Sequence, residues 1–174
     1  MRTDWSLFFG SFHPLIVHIP IGILLFAALL HSIAAYKKNK ALEFSASLAL
    51  LVGSLGSALA AVSGYFLSVN GGYDAGTLFW HQWIGIAVAI ISFCAWWIKR
   101  NQKKNIFFLK AKLSTWLLSV CVLLIIAGGH LGGTLTHGEG YLTAHMPSFL
   151  KSIFPATPRE QPQKLPSQLD SVRI

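Results

Sequence analysis

The chain has 174 residues, of which 53% are hydrophobic and only 11% are charged. A soluble domain typically carries about 25% charged residues, so this composition excludes that class and indicates a single membrane domain. The net charge of +8 does not indicate a nucleic-acid-binding surface, because nine of the fourteen lysines and arginines lie in the short segments 37–40 and 99–112. Each segment separates two apolar runs, which is typical of membrane topology.

Four apolar runs are each long enough to cross a bilayer, which requires about 20 helical residues. They predict spanning helices at His13 to Tyr36, Leu42 to Val69, Leu78 to Ile98 and Leu113 to Leu131. A sheet is excluded because open strand edges cannot lie in lipid. The predicted fold is therefore an all-α, integral membrane four-helix bundle over residues 1–150, followed by a proline-rich tail or linker over residues 151–174.

The two basic segments predict how the bundle is oriented. Both connect spans on the same side, and the positive-inside rule places that side in the cytoplasm. The N- and C-termini and the connection after the second span are then predicted to face outward. The first span lacks a small-residue cleavage site, so we interpret it as a retained helix of a multi-pass protein.

Small residues and turn residues predict several local features. The second span carries small side chains at spacings of three and four, at Gly53, Gly56, Ser57, Ala60, Ala61 and Gly64, and these favour close helix packing. Thr77 is a predicted N-cap of the third span. Glycines at 128, 129, 132, 133, 138 and 140 predict a backbone that bends after the fourth span or lies close against something flat. A short interfacial helix is predicted at 147–154.

Six of the seven histidines are predicted to gather at the outer end of the bundle: His13, His18, His81, His130, His137 and His145. Only His31 lies toward the cytoplasm. Ionisable side chains at membrane depth are costly and indicate a functional site by default. His18 follows His13 by five residues, which places it about 7.5 Å deeper and about 140° around the helix. The two therefore do not share a face, and His130 is predicted at a depth similar to that of His18.

Glycines one helical turn from two of the histidines give a more specific indication. Gly22 follows His18 and Gly85 follows His81 at a spacing of four residues, so each pair stacks on one face and leaves a flat recess beside the imidazole. Further glycines flank His130, at 128, 129, 132 and 133. Facing histidines at matched depth with glycine clearance are what bis-histidine ligation of a b-type haem in a helical bundle requires.

The predicted ligands of the haem iron are His18 and His130, with His81 as the first alternative. The predicted cofactor is one haem b, and a second haem that uses His13, His81 or His137 is left open. The predicted clearance residues around the cofactor are Gly22, Gly85, Gly132 and Gly133.

Other interpretations stay open on the residues alone. Three or four imidazoles can also hold zinc or copper. The histidines can instead make interhelical hydrogen bonds, and the glycines can serve packing alone. Covalent haem attachment is excluded because the chain has no C-x-x-C-H motif. No H-E-x-x-H motif or Ser/His/Asp grouping indicates a hydrolase.

Four segments of the sequence together resemble a known family. They are F-H-P-L-x-x-H-x-P-I-G at 12–22, G-G-Y at 71–73, W-H-x-W-x-G at 80–85 and G-H-x-G-G-x-L-T-H-G at 129–138. This pattern is similar to the four-helix membrane domain of unknown function found at the N-terminus of planctomycete-type cytochrome c proteins. The resemblance, which covers about residues 8–149, implies an electron-transfer setting in a bacterial inner membrane. Since the chain has no haem-c motif, the implied partners, beside membrane lipid, are a c-type cytochrome or other subunits of a respiratory complex.

Together these features predict a membrane b-type cytochrome subunit. It would pass electrons through a bis-histidine haem near the periplasmic face, to or from a periplasmic cytochrome or a quinol. We expect an electron-transfer subunit more than a stand-alone enzyme, and no nucleic acid as a partner. The alternative is a cofactor-free membrane anchor of a larger respiratory complex.

Overall fold

The computed structural model describes residues 5–69, 71–101, 107–143 and 146–151. These residues form α1 (Trp5–Ser11), α2 (His13–Lys37), α3 (Lys40–Val69), α4 (Ala75–Arg100), α5 (Phe107–His137) and α6 (Ser148–Lys151), with no strand in the described part. Helices α2 to α5 are each long and apolar enough to cross a membrane. The predicted all-α fold with four spans is therefore confirmed. His145 and residues 152–174 lie outside the described residues, so the predicted domain boundary at residue 150 stays a prediction.

Helix α1 precedes the first span and was not predicted. Its Gly10 lies against α3, where a Cβ would come within 2.6 Å of the backbone nitrogen of Leu67. The aromatic side chains of Trp5, Phe8 and Phe9 are exposed, as is common for aromatic residues at a membrane interface. The short α6 confirms the helix predicted at 147–154 as far as Lys151.

The connections between the spans are capped by side chains. Asn39 Oδ1 accepts hydrogen bonds from the N–H groups of Ala41 at 2.9 Å and Leu42 at 3.2 Å, and so caps α3. Asp74 caps α4, since its Oδ1 accepts from the Thr77 N–H at 2.8 Å and from the Thr77 hydroxyl at 2.7 Å. These bonds favour the carboxylate and hold the pKa of Asp74 below its ordinary value. The predicted N-cap at Thr77 is wrong, because Thr77 lies inside the helix and donates to the cap.

Helix α5 continues through the glycine-rich segment to His137, so of the two predicted alternatives the bend after Leu131 is wrong. The other, a close approach to something flat, fits Gly132 against the His81 ring and Gly133 against the Tyr141 ring. A glycine inside a helix costs about 1 kcal/mol relative to alanine. Within a bilayer, however, the backbone has no water to bond instead, and it keeps its helical hydrogen bonds. The helix ends before Gly138, whose φ of 83° costs a glycine little. The Gly138 N–H donates to the Thr134 carbonyl at 2.9 Å and closes the last turn.

Helix α3 is central to the packing, since it contacts α1, α2 and α4, while α5 packs mainly on α4. The core consists of Leu24, Ala27, Leu50, Val88, Leu118, Cys121 and Ile125. The packing role predicted for the small residues of α3 is confirmed, because Gly53 lies against Leu24 and Gly56 against the ring of Pro20. Helices α2 and α5 contact each other only sparsely. One side of the bundle is therefore less closed than the others.

The four spans form two similar hairpins, α2–α3 and α4–α5, in which equivalent residues are 68 positions apart. Helix α3 ends at Val69 and α5 ends at His137. Leu50 in the first hairpin and its equivalent Leu118 in the second are both buried. The chain is thus a structural repeat of one helical hairpin.

Two pairs of equivalent residues touch each other. The rings of His13 and His81 are neighbours at one end of the bundle, and Lys99 bonds His31 at the other. Equivalent residues meet near an axis that relates the repeats, so these two contacts indicate a local twofold relation, as between parallel repeats of membrane proteins. The relation does not extend to all helix pairs, since α3 and α4 pack extensively whereas α2 and α5 do not. The two ends are termed the histidine end and the lysine end below.

Candidate functional site

His13 stands in the first turn of α2 and is held by α3. Its Nδ1 lies 2.9 Å from the carbonyl oxygen of Ala60 and 3.2 Å from Oγ of Ser63. A carbonyl oxygen only accepts, so in the neutral imidazole Nδ1 carries the proton and donates it, which leaves the lone pair on Nε2. Gly64 permits this approach, because a Cβ there would lie 2.8 Å from Cε1 of His13.

His81 repeats this arrangement in the second hairpin. Its Nδ1 lies 3.1 Å from the carbonyl oxygen of Gly128 on α5, so its neutral ring has the same tautomer. Gly132 provides the clearance, since a Cβ there would lie 3.0 Å from Cε1 of His81. In both hairpins the histidine and its accepting carbonyl are 47 residues apart. In both, the glycine also follows the carbonyl by four residues.

The two imidazoles meet at the twofold axis. Their ring centroids are 6.3 Å apart and their planes cross at 89°, and both residues are half-buried. Two imidazole nitrogens that bind one metal atom lie about 4 Å apart, since each is about 2.0–2.1 Å from the metal. The ring centroids of such a pair lie further out, so the observed separation is of the size that suits one metal atom between the rings.

His18 and His130, the predicted axial pair, are both exposed. Nδ1 of His18 is hydrogen-bonded to the carbonyl oxygen of Pro14 in the preceding turn. His130 stacks on Tyr141, with ring centroids 6.2 Å apart. Among the described residues, no hydrogen bond or ring contact joins His18 to His130. Their pairing stays a prediction, and the structure brings two of the alternative ligands together instead.

The remaining predicted residues divide into open and filled positions. A Cβ at Gly22 or Gly85 would meet no atom within 4 Å, so the space beside each of these glycines is open, as the recess hypothesis requires. Gly133 lies against the hydroxyl of Tyr141. His137 is exposed at the end of α5, with its ring 5.5 Å from that of Tyr141.

The described residues contain no group of three or more histidine, cysteine, aspartate and glutamate side chains placed to hold a metal ion. The hypothesis of a zinc or copper site with three or four imidazoles therefore has no support in that part of the chain. A bis-histidine haem needs only two protein ligands and is a different arrangement.

A family model described as "Predicted membrane protein (DUF2231)" matches residues 10–144. The chain belongs to this family. The match spans α2 to α5 and both imidazoles of the His13–His81 pair, and it confirms the predicted membrane domain of unknown function. No curated protein sequence and no solved structure matches the chain. Membership therefore establishes a membrane protein, whereas the activity has to be inferred from the site.

At the lysine end, a hydrogen-bonded network joins all four spans. Lys99 of α4 donates to Oε1 of Glu43 on α3 at 3.1 Å and to Nδ1 of His31 on α2 at 2.9 Å. Nε2 of His31 donates in turn to Oγ1 of Thr115 on α5 at 2.8 Å. The Lys99 side chain is only 4% exposed, whereas that of Glu43 is 49% exposed. A buried charge is tolerated only when it is paired, and this network supplies the partners of the buried Lys99 ammonium.

The lysine-end network was missed because His31 was placed apart from the other histidines and Lys99 was assigned to a loop. The available signal was one acidic and one basic residue near the same ends of neighbouring spans, Glu43 and Lys99. Charged residues at membrane depth commonly pair with one another.

Proposed function

We propose that the protein is a b-type cytochrome subunit that carries electrons in a bacterial inner membrane, with His13 and His81 as the axial ligands of one haem b. The observation that carries this proposal is the repeated geometry of the imidazoles: each donates Nδ1–H to a helix carbonyl, and the two rings meet at the axis. A metal-ligating histidine typically donates its other ring N–H to a carbonyl or carboxylate, which fixes the tautomer and the ring orientation. Both rings have that second hydrogen bond.

Glycines on the neighbouring spans determine how the two imidazoles are placed. Gly64 on α3 and Gly132 on α5 lie at the level of the rings, on the two spans that do not supply the imidazoles. His13 and His81 would hold the haem group, and the clearance at Gly64 and Gly132 serves the imidazoles, since a Cβ there would lie 2.8 Å and 3.0 Å from their Cε1 atoms. Of the two open positions, Gly85 lies one helical turn from His81, whereas Gly22 lies about 13.5 Å along α2 from His13.

Haem b, when bound, supplies a one-electron iron couple whose potential depends on ligand type, burial and hydrogen bonding. The residues of this chain orient the imidazoles through Ala60 and Gly128 and keep both rings half-buried. The positive-inside rule places the histidine end on the periplasmic side. Electrons would therefore be exchanged there with a periplasmic c-type cytochrome or with a quinol.

The reduced-minus-oxidised absorption spectrum of the purified chain tests this proposal. We expect a b-type α-band and about one haem per chain by pyridine haemochrome assay. His13→Ala and His81→Ala should each abolish the band, whereas His18→Ala and His130→Ala, matched controls at the same end, should retain it. Loss of the band in the control variants alone would favour the sequence-based pair. A wild-type chain without haem would refute the proposal.

A cofactor-free anchor is the second candidate function. It is favoured by the fact that both imidazole hydrogen bonds and the lysine-end network join neighbouring helices and can serve stability alone. In that case the wild-type chain shows no haem band, and His81→Ala lowers the free energy of unfolding with no spectroscopic change.

A further inference from the structure

The side chain of His31 connects helices whose backbones seldom approach each other. His31 lies on α2, and its ring bonds Lys99 of α4 through Nδ1 at 2.9 Å and Thr115 of α5 through Nε2 at 2.8 Å. Helix α2 packs mainly on α3 and contacts α5 only sparsely. The hydrogen bonds of this one ring therefore link α2 to the second hairpin at the lysine end.

The partners of His31 admit only one protonation state of its ring. An ammonium group donates and never accepts, so Nδ1 of His31 holds a lone pair that accepts from Lys99. The proton of the neutral ring is then on Nε2, which donates to Oγ1 of Thr115. A proton added at Nδ1 would remove the acceptor and point at an ammonium group 2.9 Å away. The network is therefore complete only while His31 is neutral.

The charges that face His31 sum to zero only with a neutral ring. Lys99 on α4 is positive and Glu43 on α3 is negative, with their charged atoms 3.1 Å apart, while Thr115 on α5 does not titrate. The other charged side chains described at this end are exposed: Lys37, Lys38, Lys40, Arg100 and Lys112. A protonated His31 would thus add an uncompensated positive charge beside a lysine side chain that is only 4% exposed. Such a charge is costly at membrane depth.

We propose that His31, Lys99 and Thr115 form a pH-sensitive latch in which His31 is the titrating group. While the ring is neutral, it joins α2 to α4 and α5. When Nδ1 takes up a proton from water, the bond to Lys99 is lost and α2 separates from α4 at this end. Histidine changes its charge between about pH 8 and about pH 5, so the latch is closed at the upper value and opens toward the lower one.

The latch goes beyond the proposed function and does not depend on it. His31 lies about 27 Å along α2 from His13, at the opposite end of the bundle. The predicted orientation exposes the lysine end to the cytoplasm, so the latch would respond to acidification there. Water has access to the network, because Glu43 in the first turn of α3 is 49% exposed.

The distance between two nitroxide spin labels, measured by electron paramagnetic resonance, tests the opening. In the full chain in phosphatidylcholine nanodiscs, the labels are attached to the exposed native Cys94 on α4 and to Tyr36→Cys on α2, where Tyr36 is 88% exposed. Cys121 is buried and stays unlabelled. We expect the distance to shift or broaden by at least about 2 Å between about pH 8 and about pH 5.

Two variants assign this response to a residue. His31→Gln keeps an acceptor for Lys99 and a donor for Thr115 but does not titrate, so its label distance should be the same at both pH values. His18→Gln, the matched control on the same helix, should respond like the wild type. A response that persists in His31→Gln, or that disappears in His18→Gln, would overturn the latch, as would an unchanged distance in the wild type.

Nitrogen-15 NMR of the histidine side chains in the wild-type chain tests the protonation state without any variant at the latch. We expect His31 to have a bare Nδ1 and a protonated Nε2 at about pH 8, and two protonated nitrogens at about pH 5. A proton on Nδ1 at the upper pH, or a neutral ring at the lower one, would contradict the proposal. Neither readout requires haem, so a chain without haem whose latch responds refutes the cytochrome and supports the latch.

Discussion

The two glycines beside the paired imidazoles lead to the sharpest prediction, made with Gly64→Ala and Gly132→Ala. The added methyl group would lie 2.8 Å from Cε1 of His13 or 3.0 Å from Cε1 of His81. Carbon atoms in ordinary contact are about 3.5–4.0 Å apart, so the His13 ring has to retreat by about 0.7 Å. That displacement takes Nδ1 beyond hydrogen-bonding distance of Ala60, since the bond starts at 2.9 Å and fails near 3.5 Å.

The expected cost of Gly64→Ala combines three effects. The lost hydrogen bond contributes about 0.5–1.5 kcal/mol, and overpacking contributes about 1–3 kcal/mol. Alanine recovers about 1 kcal/mol through its better helix propensity. The free energy of unfolding should therefore fall by about 0.5–3.5 kcal/mol. Because the repeat places His81 in the same geometry, Gly132→Ala should behave in the same way.

Unfolding in mixed detergent micelles, followed by circular dichroism, measures this effect. Gly85→Ala is the matched control, because its Cβ meets no atom within 4 Å, and it should stabilise the helix by up to about 1 kcal/mol. In the haem-loaded protein, Gly64→Ala and Gly132→Ala should also alter the α-band. If Gly64→Ala were as well tolerated as Gly85→Ala, the glycine would not be what positions His13.

Three other predictions concern the remaining contacts. Glu43→Gln leaves the buried ammonium of Lys99 without its counterion, and it should lower the free energy of unfolding by less than the about 3–5 kcal/mol typical of broken buried pairs, since Glu43 is 49% exposed. The double variant with Lys99→Met should regain most of that stability, and failure to do so would contradict the pairing. Because the pKa of Asp74 is lowered, its capping contribution to stability is present above the ordinary pKa of 3.8 and disappears as the pH falls through the folded-state pKa. Acid should therefore lower the thermal stability of the wild type more than that of Asp74→Ala. In Gly10→Ala the added methyl group would meet the backbone of Leu67 and should detach α1 from α3, which faster proteolysis near the N-terminus would reveal. An unchanged cleavage rate would show that α1 shifts to accommodate the methyl group.

The fold was predictable because the requirements of a bilayer act on whole segments. Runs of about 20 apolar residues and two basic segments suffice to define four spans, whatever their detailed contacts. The helix ends were less predictable. Asp74, three residues before Thr77, provides the cap with its carboxylate, and the glycine segment after Gly128 stays helical because lipid offers the backbone no other partner.

The histidine pair was predictable only in part. Depth along each span placed His13 and His81 at the same end, but the rotation of one span against another depends on packing that a single sequence does not specify. Clearance was sought at Gly22 and Gly85, on the helix that bears the histidine, and at Gly132 and Gly133, beside His130. The structure instead shows the close approach at glycines of the partner helices, where Ala60-x-x-x-Gly64 and Gly128-x-x-x-Gly132 each offer a carbonyl and a missing side chain.

The two ends of the twofold axis differ in how equivalent residues satisfy each other's hydrogen-bonding groups. At the lysine end the equivalent pair is His31 and Lys99, so a donor meets an acceptor directly at 2.9 Å. At the histidine end both residues are histidines whose Nδ1 protons are committed to carbonyls, so each neutral ring retains only an acceptor nitrogen. Two acceptors cannot bond each other, and either a proton on one ring or a metal cation between the rings resolves this. The iron of a haem is such a cation, which is why the haem content of single variants at His13 and His81 decides the proposed function.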